Sequence, residues 1–221
     1  SSRENVILSG DNQDQILNFK STNLSSLILN NISFTDGFND ETNEAAGVNT
    51  KFSIEVNSCK FQNNRALLTY GGGFVAEGSI KVTDTIFYQN HSKYGGAGFF
   101  ASGWSIDVEN SEFSENESDG MGAGFMVSDG VTYSNNATTV KNSTFRGNKA
   151  NTGGGFIAGT DELLVSNSQF LNNKATFSGG GFLSHSVTNT TVSNSTFMSN
   201  DSGEDGGGFF GFDAYVVNSI F

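Results

Sequence analysis

Short runs along this chain alternate apolar and polar residues with a period of two. Ser53-Ile-Glu-Val-Asn57 and Ser105-Ile-Asp-Val-Glu109 are examples. Successive side chains of a strand point to opposite faces, so alternation built on β-branched residues predicts strands. Each run leads to a lone Phe, then a polar stretch, then a glycine cluster closed by a second Phe. Phe145-Arg-Gly-Asn-Lys-Ala150 followed by Gly153-Gly-Gly-Phe156 shows the order.

The unit repeats. Its first Phe recurs at Phe34, Phe61, Phe87, Phe113, Phe145, Phe170, Phe197 and Phe221, at intervals of 27, 26, 26, 32, 25, 27 and 24 residues. The longest interval holds an insert, Asp129-Gly-Val-Thr-Tyr-Ser-Asn-Asn136. Columns at fixed offsets from this anchor agree from copy to copy. Leu29 and then Val (Val56 to Val216) lie five before it, and Ile32 and then Cys, Thr or Ser (Cys59 to Ser219) lie two before it. An Asn-rich column lies three before it, and Asn64, Asn90, Asn116, Asn148, Asn173 and Asn200 lie three after it. Ala or Ser lies five after it, and the second Phe recurs at Phe74, Phe99, Phe125, Phe156, Phe182 and Phe209.

A period near 26 with strand patterning and glycine corners predicts an all-β, single-stranded parallel β-helix of about eight turns of 24–27 residues. Leucine-rich repeats would show a Leu-x-x-Leu-x-Leu frame, and helical repeats run longer and avoid three consecutive glycines. At about 4.8 Å per turn the rod is on the order of 40 Å long. Phe columns are expected in the lumen, and both Asn columns are expected to form inward amide ladders. Residues 1–221 read as one domain: degenerate turns over 1–50, then regular repeats over 51–221 with the insert at 129–137. Leu27-Ile-Leu-Asn-Asn-Ile-Ser-Phe34 fits the frame, and Ala45-Ala-Gly-Val48 stands in for Gly-Gly-Gly-Phe. Neither end reads as the polar cap a solenoid needs, so a segment of a longer chain is expected.

Composition narrows the partners. The chain has 28 Gly, 21 Phe and no Pro, and 23 acids against 11 bases give a net charge of −12. Such a surface repels nucleic acid and anionic membranes. No apolar run of membrane-spanning length is present. The lone Cys59 excludes an intrachain disulfide framework and is expected as a small buried thiol in the Ser/Thr column.

Phe61-Gln-Asn-Asn-Arg-Ala66 with Gly71-Gly-Gly-Phe74 resembles the repeat of the polymorphic outer membrane proteins, which carry many FxxN and GGA[ILV] motifs. The resemblance covers residues 53–221. It implies a right-handed β-helix, secreted or displayed at the cell surface, with a structural or adhesive role. The chain departs from that pattern in placing Phe after the glycines, and it contains no β-barrel translocator.

The chemistry of individual residues leaves three readings open. In the first, a structural or adhesive surface protein, self-association into a filament or contact with neighbouring repeats of a longer chain supplies the partner. Glycans or cell-surface molecules are further candidates. The second is a carbohydrate-active lyase or hydrolase, which needs converging carboxylates with a base beside them. No catalytic, cofactor or metal residues are assigned, because the acids are scattered and His91 and His185 lie at unrelated offsets. The third is a binding module without turnover, taking Ca²⁺ at the acidic loops 115–119 and 201–205 or a sugar on Trp104 or Tyr133. Nine Asn-x-Ser/Thr sequons are present. Six fall in the Asn columns and read as by-products of the repeat. Asn136, Asn189 and Asn23 remain as the glycosylation candidates.

Overall fold

The computed structural model describes residues 6–20, 25–41, 44–128, 136–185 and 189–221. Every strand pair is parallel, and three sheets of eight, fourteen and seven strands run the length of the coil. One turn shows the plan. Phe74–Thr83 lies in the largest sheet, Ile86–Tyr88 in the eight-stranded sheet and His91–Ser92 in the seven-stranded one. The chain then re-enters the largest sheet at Phe99–Glu109, where Phe74 pairs with Phe99 and Val82 with Val108.

In the regular repeats from Ser58 on, three left-handed residues turn each complete coil. Asp84 and Gln89 (φ 51° and 54°) sit between the sheets, and Gly96 (φ 62°) precedes the return. The first corner accepts Asn, Asp or Ser, and the second accepts Asn, Asp, Ser, Gln, Glu115 or Gly147 in the various turns. At the third a Cβ on Gly96 would run into the Phe99 carbonyl, so only glycine serves. Two residues on, a Cβ on Gly98 would strike the carbonyl of Gly124 in the next turn. That column is glycine because successive backbones touch there.

The lumen holds two phenyl stacks. Anchor rings from Phe34 to Phe221 lie 4.7–5.0 Å apart between centroids and within 14° of parallel. The second stack, Phe74 to Phe209, repeats at 4.6–4.9 Å. Rings of one stack meet rings of the other at a tilt, as Phe113 does Phe125 at 5.6 Å and 57°. Offset and tilted contacts of this kind stabilise beyond the area they bury.

The first fifty residues obey the same frame. Leu8 pairs with Phe34 in the anchor column, and Leu17 pairs with Val48, which pairs with Phe74. Across the insert, Val108, Val140 and Val165 stay in register, so the extra residues leave the column intact.

One expectation needs correction. Only the column three after the anchor is an amide ladder. Asn90 Nδ2 donates to Asn116 Oδ1 at 3.0 Å and to the Phe61 carbonyl at 2.9 Å, and the pattern repeats from Asn64 to Asn173. The column three before the anchor is a left-handed corner instead (φ 47–54°), and Asn31, Asn142 and Asn194 there are exposed. Its neighbour, the Ser/Thr column, supplies the second ladder. Ser111 N–H donates to Ser143 Oγ at 3.2 Å, and Ser143 Oγ donates to the Lys141 carbonyl at 2.7 Å. Cys59 occupies this column as expected: it is buried, its Sγ approaches the Asn57 carbonyl at 3.3 Å, and burial pushes its pKa up.

Candidate functional site

The inward positions are committed to stacking and to ladders, so chemistry with a partner belongs to the outward ones. In the seven-stranded sheet the outward column runs Arg65, His91, Glu117, Lys149, Lys174, Asp201. Lys149 binds Glu117 at 2.8 Å and Lys174 binds Asp201 at 3.2 Å, linking adjacent turns. These are exposed pairs and each contributes little.

The acidic loop 115–119 does not converge. Glu115 accepts from Gln89 Nε2 at 2.9 Å, Glu117 faces Lys149, and Asp119 faces Lys93 at 2.9 Å and His91 at 3.4 Å. The bond from Lys93, helped by His91, holds the Asp119 carboxyl below its usual range. In the second loop Asp201 is drawn towards Lys174. Among the described residues no group of three or more His, Cys, Asp or Glu is placed to hold a metal ion.

A groove of a different kind opens where the largest sheet bends. Glu77 pairs with Ser102 but Ser79 pairs with Ser105, so Gly78 faces both Gly103 and Trp104. This is a β-bulge, a device that re-aims a side chain. Gly78 takes φ 86°, and its carbonyl lies so close to Gly103 that a Cβ there would collide with it. The bulge sets Trp104 on the wall of a 410 Å³ groove with Lys51, Phe52, Ser53, Glu77 and Ser102. Trp104 is 44% exposed, whereas Phe52 is buried against Phe19. An indole face beside an ammonium, a carboxylate and hydroxyls is the equipment for a polyhydroxylated ligand: the ring covers C–H faces and the polar groups bond hydroxyls. Tyr133, the other aromatic proposed for a sugar, lies outside the described residues.

The glycosylation candidates separate. Asn189 is exposed at the head of Asn189–Ser193. Asn136, expected in an open insert, is 4% exposed instead, its backbone N–H bonded to Asp161 Oδ2 at 3.0 Å. Its amide therefore faces inward, because the strand Ala137–Lys141 starts immediately after it. Asn23 lies outside the described residues. Of the six sequons in the Asn columns, read as by-products from the sequence, the corner ones at Asn31, Asn142 and Asn194 are exposed to solvent.

Stacked parallel strands, a filled lumen and side-chain ladders define a β-solenoid. The family model for a right-handed β-helix region matches residues 44–220, and the chain belongs to that family. Comparison with curated proteins and with solved structures finds no match.

Proposed function

We propose that this chain is a stiff β-helical rod, secreted or displayed at a cell surface, with a structural or adhesive role and no turnover. The observation that carries this reading is the division of labour between columns. The repeated inward positions serve the stack, and Trp104, at the one bulge among the described residues, presents an aromatic platform in a polar groove. The likeness of Phe61-Gln-Asn-Asn-Arg-Ala66 and Gly71-Gly-Gly-Phe74 to the polymorphic outer membrane protein repeat supports surface display. The net charge of −12 favours neutral or cationic partners over anionic ones.

Hydrolysis of a glycoside needs two carboxyl groups about 5–9.5 Å apart. The groove lining brings one, Glu77. That composition supports binding rather than cleavage.

The test is binding of the chain to an array of neutral oligosaccharides and to intact cells. Wild-type binding that falls at least tenfold in Trp104→Ala, with thermal unfolding unchanged, supports the reading. Release of shortened saccharides by the wild-type chain, or equal binding by the variant, overturns it.

A further inference from the structure

We propose that Asn31, Asn142 and Asn194, three asparagines on one outward corner of the coil, are N-glycan acceptors. The sequence places sequons in both Asn columns, and the structure gives the columns opposite fates. In the ladder, the Asn116 amide is fully buried, and Nδ2 donates to the Phe87 carbonyl and to Asn148 Oδ1, both at 3.0 Å. Both amide protons are in use, and a sugar on that nitrogen has no room. At the corner, Asn142 and Asn194 are exposed, hold φ of 49° and 48°, and make no side-chain hydrogen bond among the described residues.

The corner explains the asparagine but not the sequon. A left-handed residue favours Asn for conformational reasons alone. Asn110, Asn167 and Asn218 occupy the same column, and the residues two after them are Glu112, Gln169 and Ile220. The hydroxyl is the added feature: Ser33, Thr144 and Thr196 stand at that place in the three proposed sites. Thr144 and Thr196 open strands of the eight-stranded sheet and are half-buried, with no repeat-wide requirement for a hydroxyl.

The chemistry requires a polyprenyl-diphosphate-linked oligosaccharide and its transferase. Asn Nδ2 attacks the anomeric carbon, a C–N bond forms, the bond from that carbon to the diphosphate oxygen breaks, and Nδ2 gives one proton to a transferase base. Polyprenyl diphosphate leaves. Asn142 and Asn194 are two turns apart, about 10 Å, so their glycans would cover one edge of the rod. Asn31 lies four turns from Asn142, about 19 Å.

The inference rests on the surface reading only for whether the native chain meets the donor. The test therefore supplies the route: the full chain is secreted from a eukaryotic cell behind a cleavable leader. Peptide N-glycosidase should lower its mass, and peptide mapping should find Asp at positions 31, 142 and 194 but not at 90 or 116. Thr144→Ala and Thr196→Ala should each remove one glycan while keeping the left-handed Asn, and the enzymatically deglycosylated proteins should unfold as wild type does. Asn142→Asp, isosteric at the corner, is the second variant and should lose the same glycan. A folded, secreted chain bare at Asn142 and Asn194, or equally occupied at Asn90 and Asn116, overturns the proposal. Failure of saccharide binding at Trp104 leaves it standing.

Discussion

Asn116 uses every polar atom of its side chain. Its Nδ2 donates twice, and its Oδ1 accepts from the Asn90 amide and the Asn90 backbone N–H, both at 3.0 Å. Leaving buried partners unsatisfied costs about 1–3 kcal/mol per group. Asn116→Ala should therefore lose roughly 3 kcal/mol or more in urea unfolding. Asn116→Asp has the same shape but turns an oxygen toward the Phe87 carbonyl and Asn148 Oδ1, and should be no better. If either variant unfolds within 0.5 kcal/mol of wild type, a value about the size of a neutral surface change, the ladder is not a source of stability. The two Asn columns look alike in the sequence, yet the difference was legible. The column from Asn64 to Asn200 admits no substitute, because the ladder needs a donor and an acceptor on one planar group. The corner column includes Ser58 and Asp84, because a left-handed bend asks only for a short polar side chain.

Sheets and stacks are where the periodic signal was strongest. Register, lumen and corners all follow from columns that repeat at one spacing, and even the degenerate Ala45-Ala-Gly-Val48 pairs where the frame puts it. Phe113 sits in mid-stack, fully buried, touching Phe87, Phe145, Phe99 and Phe125. Phe113→Ala should cost about 3–5 kcal/mol, and calorimetry should show the single transition broaden or split as coupling across the gap weakens. A sharp transition at the wild-type temperature would refute a continuous core. The outward ion pairs should behave differently. Asp119 has its pKa lowered by Lys93 and His91, so its stabilising effect is present above the usual carboxylate pKa of about 4 and disappears as pH falls through the lower folded value. Stability should differ little between pH 7 and pH 5 on account of this pair, and Asp119→Asn should change it by under about 1 kcal/mol. Trp104 stood out in the sequence as an aromatic that could meet a sugar, but the groove around it was not legible, because among the described residues the bulge occurs once and falls outside every column.

Across the whole molecule, each turn contacts only its neighbours, and the middle turns have two. Hydrogen exchange should thus be slowest between residues 74 and 170 and fastest over 209–221, where Tyr215 and Val216 are exposed. Uniform protection would mean the coil opens only all at once. Near-neighbour bonding has a mechanical consequence too. Pulled apart along its axis, the rod has no covalent link from one turn to the next except the chain itself, so the weakest event is the peeling of one coil. Each peel should release about 26 residues, roughly 85–90 Å of slack. A force–extension trace would then be a sawtooth of near-equal teeth, and a rod held under tension would yield by paying out length while its remaining turns stay wound.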